Sequence, residues 1–378
     1  MTFSILQPPR ILFGRGTAAQ AAPLALGFGQ RVLLVHGGSA RRSDWLADAL
    51  QAGGATVHRH PCPGEPTLAM LEQALPDLRA FAPTSVIALG GGSVIDLAKA
   101  LAAMIPATGA PLDHLEGVGK ALPLTHDPLP LIALPTTAGT GAEVTKNAVI
   151  GVPEQGRKVS LRDDRMIARV AIVDPALTDG CPAGVTLASG LDAVTQVIEP
   201  YLSCKATPYS DAIALPAIGP GLAALMRLAA GEDAAARDVL AWTSLCGGLA
   251  LANSGLGAVH GFAGVIGGMT GAPHGEICGA LLGPVLAMNR QRSSDPAQER
   301  ADRVCALIAG PLGCPPDDAP MALADWAHGA GLPRLSAMGL AAQDHAQVAQ
   351  TAQGASSMKG NPVPLSMADL IAVLNAAG

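Results

Sequence analysis

The chain has 378 residues, and at roughly 150 residues per domain this length fits two domains, each with room for a real core. Apolar residues make up 49% of it, while charged residues make up 14% against about 25% in ordinary soluble domains. With 45 glycines and 31 prolines it also stays below the roughly 25–30% glycine plus proline of low-complexity chains, which excludes a disordered tail protein. The net charge of −6, with no lysine or arginine run longer than two, excludes an electrostatic nucleic-acid surface.

Short aliphatic runs at 31–35 (RVLLV), 85–89 (SVIAL), 131–134 (LIAL) and 170–173 (VAIV) read as buried parallel strands. Helical patterns lie between them, at 45–51 and 68–81, where apolar residues recur at three and four. Strands alternating with helices predict a doubly wound α/β sheet. From Thr186 onward no strand is evident. Alanine- and leucine-rich segments at 189–202, 210–230, 234–253, 280–289, 302–309, 321–330, 342–352 and 366–377 predict an all-helical second half. The boundary is set at the turn residues of DGCP, 179–182, which gives an α/β domain over 1–180 and a helical domain over 181–378.

Val239 to Gly275 contains no charged residue, a stretch long enough to raise a membrane span. Breaks at Asn253-Ser254-Gly255, Gly267-Gly268 and Pro273, together with His260 and His274, favour buried helices around a polar site instead. The seven cysteines are scattered with no C-x-x-C pair, which reads as reduced thiols. The N-terminus shows no basic region followed by an apolar stretch. A cytoplasmic protein is the expectation.

Two loops follow predicted strands. In Gly90-Gly91-Gly92-Ser93 the glycines permit a sharp turn and close approach of backbone to a pyrophosphate, and the helix start that follows offers free N–H groups and a positive dipole end. Ser93 followed by Asp96 reads as a capping pattern. In 135–141 (PTTAGTG) three threonine hydroxyls can bond a ribose, diphosphate or amide without adding charge. Read alone, each could be a tight or hydroxyl-capped turn; both lie at carboxyl ends of strands, where open parallel sheets bind ligands. In the helical half, Asp192 and Gln196 are four apart on one helix face, and His260 and His274 lie in the charge-free segment. One carboxylate and two imidazoles in apolar surroundings suit a divalent transition metal, but on spacing alone the favoured reading is two satisfied core histidines and a helix-surface aspartate.

Along nearly its whole length the chain resembles the iron-containing (group III) alcohol dehydrogenase superfamily. The resemblance rests on ILFGRG near the start, GGGSVIDLAK, PTTAGTGAEVTKNAVI, VAIVDPALT, GLDAVTQVIEPYLS and AVHGFAGVIGGMTGAPHG. It implies an N-terminal dinucleotide-binding α/β domain, an all-α C-terminal domain, a catalytic cleft between them, and a homodimer or larger assembly. It also implies that Gly91, Gly92 and Ser93 hold the cofactor diphosphate with support from Asp96, and that Thr136, Thr137 and Thr140 contact phosphate or nicotinamide. By the same resemblance Asn147 lies beside the nicotinamide, Lys158 lies near the cofactor ribose, and Asp192, Gln196, His260 and His274 occupy the four metal-ligand positions.

Two residues depart from the pattern. Gln196 stands where many members carry a third histidine, which leaves iron, zinc or no metal open. Gly264 stands where alcohol-oxidising members often carry a further histidine, so water or a cofactor ribose hydroxyl must relay the proton. Where NAD-preferring members often carry an aspartate at the end of the first strand, this chain has Gly37, with Arg41 and Arg42 following, so NADP(H) is expected to be accepted. The expected activity is hydride transfer between NAD(P)(H) and a small alcohol, aldehyde or ketone, with Asp192, His260 and His274 as catalytic residues. The alternatives are a metal-independent oxo-acid reductase of the maleylacetate reductase kind, with Lys146 or Lys359 meeting the carboxylate, and a homologue that keeps cofactor binding alone. His58, His60, His114, His126, His328 and His345 are expected at the surface.

Overall fold

A computed structural model of the chain describes residues 2–378. Eight strands are present: β1 (Arg10–Phe13), β2 (Arg31–Gly37), β3 (Thr56–Cys62), β4 (Ser85–Gly90), β5 (Leu131–Pro135), β6 (Asn147–Val152), β7 (Arg157–Arg162) and β8 (Val170–Val173). Helices α1 (Ala21–Leu26), α2 (Asp44–Ala52), α3 (Leu68–Phe81), α4 (Gly92–Met104) and the short α5 (Pro111–His114) lie among them. The helices that follow are α6 (Ala183–Leu202), α7 (Pro208–Ala230), α8 (Ala234–Ser254), α9 (Ala258–Thr270), α10 (His274–Arg292), α11 (Ala297–Leu312), α12 (Ala319–Gly329), α13 (His345–Gln353) and α14 (Met367–Ala377). Among the described residues no strand follows Val173.

The chain divides into two compact units, an α/β unit of Leu6–Thr137 and Gly141–Asp179, and a helical unit of Gly180–Gly378 with Met1–Ile5 and Ala138–Thr140. In the α/β unit six strands form one parallel sheet in the order β1-β8-β5-β4-β2-β3. Successive residues of a strand face opposite sides, and both sides are filled. Leu33, Val35, Val86 and Ala88 pack with α3 and α4 on one face. Val32, Leu34, Ile87 and Leu89 pack with α1 and α2 on the other. All eight side chains are buried, so truncating Ile87 to alanine is expected to cost about 2–5 kcal/mol.

Both edge strands, β1 and β3, are additions to the sequence reading. β1 has only four residues, and β3 reads TVHRHPC with most positions half-exposed, so neither carries a long continuous aliphatic run. The antiparallel hairpin β6-β7 is also new. Its strand β6 alternates buried residues with more exposed ones, the signature of a strand with one covered face.

In the helical unit α6, α7 and α8 pack mutually, and α10 packs against α6, α9, α12 and α14. The charge-free stretch forms α8, α9 and the start of α10, with α8 and α9 meeting at 99°. Helix α7 is apolar and long enough to cross a membrane by length and composition, but it is half-buried between α6 and α8 as a bundle helix. Thr207 and Ser210 close a reciprocal cap at its start, and Ser366 and Asp369 do so for α14.

Two histidines expected at the surface are buried and satisfied. Nδ1 of His114 lies 2.9 Å from the Leu122 carbonyl oxygen, and Nδ1 of His345 lies 2.8 Å from Oδ1 of Asn375. A histidine's polar tip can be met by one local acceptor, which a sequence pattern does not reveal.

Candidate active site

The sheet order places a switch point inside the α/β unit. β2 is flanked by β3 on one side and β4 on the other, so the connections leaving the carboxyl ends of β2 and β4 diverge and open a crevice there. Gly37 ends β2 and Gly90 ends β4, beside Pro135 of β5 in register. Gly90 must be glycine: a Cβ there would stand 2.4 Å from a methyl of Val94, a β-branched side chain with little freedom to move. α4 starts at Gly92 with Gly91 as its N-cap, so the N–H groups of Gly92 and Ser93 sit in the first turn, where the helix itself offers no acceptor. The backbone N–H of Thr136 donates to the Gly90 carbonyl at 3.0 Å, and Oγ1 of Thr137 lies beside Gly91, so the glycine turn and the first two threonines form one surface.

The expected Ser93–Asp96 cap is not formed. Gly91 occupies the cap position with no side-chain bond, and Asp96 instead accepts from the Val149 N–H at 3.1 Å. That contact fastens the β6-β7 hairpin to α4. Lys99, one turn further along α4, fastens the same hairpin: Nζ donates to Oγ1 of Thr145 at 2.8 Å and to the Asn147 carbonyl at 3.0 Å. Sequence reading gave Lys99 no role; its apolar neighbours in the helical pattern conceal a fully buried ammonium. Burial pulls Lys99 down to about 8, and burial pushes the nearby Glu143 up to about 6. Asn147 begins β6, and Lys158 on β7 forms a 2.5 Å ion pair with Glu65, so a lysine expected near the ribose arrives already neutralised. Arg41 and Arg42 are exposed beyond Gly37, while Arg59 of β3 braces the same loop through Asp44 and Ser43. Thr140 falls with the helical unit.

The second cluster lies wholly in the helical unit. Along α6, Asp192, Gln196 and Glu199 stand on one face at i, i+4 and i+7, and all three are buried. α9 supplies His260 in its first turn, and α10 begins with His274. Gly275 permits this convergence, since a Cβ there would stand 2.4 Å from the Ala188 carbonyl oxygen of α6. Nε2 of His260 is 3.3 Å and Nε2 of His274 is 3.8 Å from Oδ1 of Asp192. The structure therefore brings Asp192, His260 and His274 together, with Gln196 donating from Nε2 to the other carboxylate oxygen at 2.9 Å.

Glu199 is a residue of this cluster that sequence reading missed. One oxygen accepts the Val259 N–H at 2.7 Å, capping the start of α9, and the other lies 2.7 Å from Nδ1 of His260. A carboxylate there keeps the proton on Nδ1 and turns Nε2 toward Asp192. The signal was present in the i+7 spacing from Asp192, obscured because Glu199 precedes Pro200. Cys278, one turn beyond His274 on α10, also reaches the cluster. Gly264, one turn beyond His260 on α9, is exposed, with open space where a side chain would stand.

Burial would raise the Asp192 carboxyl, but the close nitrogen of His260, the charge of His274 and the Gln196 amide outweigh it and hold it below its usual range. Burial opposes the charged form of His260, yet the adjoining Cys278, Asp192 and Glu199 raise it well above an ordinary imidazole. The adjoining Cys278 leads in raising His274 to about 9, against burial. Oδ1 of Asp192 and Oε1 of Gln196 are nonetheless buried without a hydrogen-bond partner. An unpartnered buried carboxylate oxygen facing two imidazole nitrogens is what a divalent cation would satisfy, so the donor set fits a metal.

Of the two lysines considered for a substrate carboxylate, Lys146 is held by Asp164 at 2.6 Å and Lys359 is exposed.

Comparison with known proteins agrees with both units. Residues 8–175 match the family described as iron-containing alcohol dehydrogenase, and residues 186–378 match the Fe-containing alcohol dehydrogenase family C-terminal region. The chain is 37% identical over 295 residues to "Probable alcohol dehydrogenase EutG" of Escherichia coli, covering 76% of this chain and 73% of that protein. It is 33% identical over 343 residues to "4-hydroxybutyrate dehydrogenase" of Cupriavidus necator, covering 89% and 87%. Among solved structures, one described as 1,3-propanediol oxidoreductase superposes with a TM-score of 0.90 at 26% identity over the full length of both chains. The chain belongs to the iron-containing alcohol dehydrogenase family.

Proposed function

We propose that the protein is an NAD(P)-linked oxidoreductase that interconverts small alcohols with aldehydes or ketones by hydride transfer at C4 of the nicotinamide, with help from a divalent metal. The observation that carries this reading is the convergence of Asp192, His260 and His274 around a buried, unpartnered carboxylate oxygen, in a chain whose other unit offers a glycine turn at a helix start. Asp192, His260 and His274 would hold the metal, with the Gln196 amide as the fourth group assigned by resemblance. When bound, the metal supplies Lewis-acid polarisation of the substrate oxygen.

The chain's own residues do the remaining work. The first-turn N–H groups at Gly92 and Ser93 take the dinucleotide diphosphate, Asp96 and Lys99 hold the hairpin that presents Asn147 and Lys158, and Thr136 and Thr137 add neutral donors. Thr140 is assigned to phosphate or nicotinamide by resemblance. Glu199 holds His260 in the tautomer that leaves Nε2 free for the metal. With glycine at 264, the hydroxyl proton passes to water or to a ribose hydroxyl. At the end of β2, Gly37 leaves no carboxylate to repel a 2′-phosphate, and Arg41 and Arg42 are in place to attract one, so NADP(H) is accepted beside NAD(H).

The test is oxidation of NADH and NADPH, followed by absorbance, with a panel of aldehydes, ketones and oxo acids, on protein reconstituted with zinc or ferrous iron. Turnover of simple aldehydes by the metal-loaded protein, lost on chelation, is expected. Full activity after exhaustive chelation, or no turnover with any metal, overturns the reading.

A further inference from the structure

Cys278 stands four residues after His274 on α10, so the two side chains project from the same face one turn apart. Its Sγ is buried, 3.5 Å from Nε2 of His274 and 3.9 Å from Nε2 of His260. One donor atom from each of Asp192, His260, His274 and Cys278 lies within 4.8 Å of the others, from three different helices. With zinc bonds of about 2.0–2.1 Å to N or O and about 2.3 Å to S, a tetrahedron has edges of roughly 3.3 Å between N and O and roughly 3.6 Å between N and S. The N to O separations of 3.3 and 3.8 Å and the N to S separations of 3.5 and 3.9 Å are within half an ångström of those edges. For these four of the six edges side-chain adjustment is enough, and the other two are at most 4.8 Å.

Gln196, the fourth ligand by resemblance, has its amide nitrogen engaged, while its Oε1 is buried without a hydrogen-bond partner. Its Nε2 donates to Oδ2 of Asp192, which orients the carboxylate so that Oδ1 faces the two imidazoles and the sulfur. A neutral amide oxygen is also a poor donor beside a thiolate for a borderline-soft cation. We propose that the Cys278 thiolate is the fourth protein ligand, making an Asp-His-His-Cys site in which Gln196 braces Asp192 and does not bind the metal. This rests on the reading of Asp192, His260 and His274 as metal ligands. On binding, the Cys278 S–H bond breaks, the sulfur pair forms the bond to the cation, and the proton leaves to solvent. The set favours zinc over ferrous iron, because thiolate adds softness where histidine would not.

Cobalt(II) substitution of the full chain reads the sulfur directly. The cobalt protein is expected to show an intense near-ultraviolet thiolate-to-cobalt charge-transfer band at one metal per chain. Cys278→Ser should abolish that band, keep binding through Asp192 and the two histidines, and weaken cobalt affinity at least tenfold. Gln196→Ala should keep both the band and the stoichiometry. Stoichiometric cobalt with no such band in the unmodified protein would overturn the thiolate ligand while leaving the metal site standing, and this holds whether or not the variants fold. A band that survives Cys278→Ser overturns it equally. Absence of cobalt or zinc binding altogether removes the metal reading itself.

Discussion

The turn after β4 and the cluster on α6, α9 and α10 are built from opposite materials. The turn is made of main chain: three glycines, a helix start and the register between β4 and β5, with side chains used mainly to hold the neighbouring hairpin. The cluster is made of side chains from three helices, and the main chain contributes closeness alone, through Gly275 against the Ala188 carbonyl. A site made of backbone fails when its path is bent, and a site made of side chains fails one group at a time. Each should therefore be removable without the other.

The largest separation is expected for His274→Ala. If this imidazole holds the cation as proposed, its loss should lower kcat by about 10³-fold or more, equivalent to about 4 kcal/mol of barrier, with dinucleotide affinity unchanged by fluorescence titration. Undiminished turnover would remove His274 from the reaction.

Glu199→Gln probes the support beneath the cluster. The amide can still accept the Val259 N–H with its oxygen, but its NH₂ then faces Nδ1 of His260 and demands the other tautomer. The proton moves to Nε2, the atom that must be bare. Zinc affinity, read by competition with a chromogenic chelator, should fall about 10–100-fold. An unchanged affinity would show that the tautomer is set elsewhere.

Paired glycine substitutions sharpen the contrast. Gly90→Ala forces a Cβ onto Val94, and should cost about 1–3 kcal/mol of stability and weaken dinucleotide binding about tenfold while metal content stays at the unmodified level. Gly275→Ala pushes α10 from α6, and should lower metal content while sparing dinucleotide binding. Equal loss of both functions in either variant would mean that the two sites do not fail independently.

These contrasts also account for what the sequence disclosed. Buried central strands announce themselves because both faces need aliphatic residues, as in β2, β4, β5 and β8, and glycine turns are visible because few other residues can follow that path. The edge strands β1 and β3 escaped notice, since a half-exposed strand need not be continuously apolar. Asp192, His260 and His274 were legible largely through family resemblance; spacing alone left them ambiguous. Glu199 and Cys278 lie on the same helices as recognised residues, but nothing in linear order reveals that three helices cross at one point. Lys99 was hidden for the opposite reason: a charged residue within an apolar helix pattern reads as a surface side chain.

Arg41→Ala combined with Arg42→Ala sharpens the dinucleotide half of the contrast. If the pair meets a 2′-phosphate, kcat/KM for NADPH should fall about tenfold, or about 1.4 kcal/mol, with NADH little affected and metal content unchanged. An equal fall for both nucleotides would place the arginines on a shared part of the cofactor or in the stability of the loop.

The smallest effect concerns stability against pH. Lys99 is held at about 8 in the folded chain, below the 10.5 of an unburied lysine, so between those values the unfolded chain carries the extra proton and stability rises with pH. Glu143 is held at about 6, above 4.5, so between 4.5 and 6 the folded chain carries the extra proton and stability falls with pH. The two limbs leave a shallow minimum between pH 6 and 8, with a gain of about 1 kcal/mol from pH 7 to pH 9 on the alkaline side. Urea unfolding across this range measures it. Lys99→Met removes the proton responsible for the alkaline limb, so that limb should flatten while the acid limb remains. Because Lys99 also anchors Thr145 and the Asn147 carbonyl, the same variant should loosen the hairpin and weaken dinucleotide binding without touching the metal cluster. An alkaline limb that persists in Lys99→Met would assign it to another group and leave Lys99 as a tether alone.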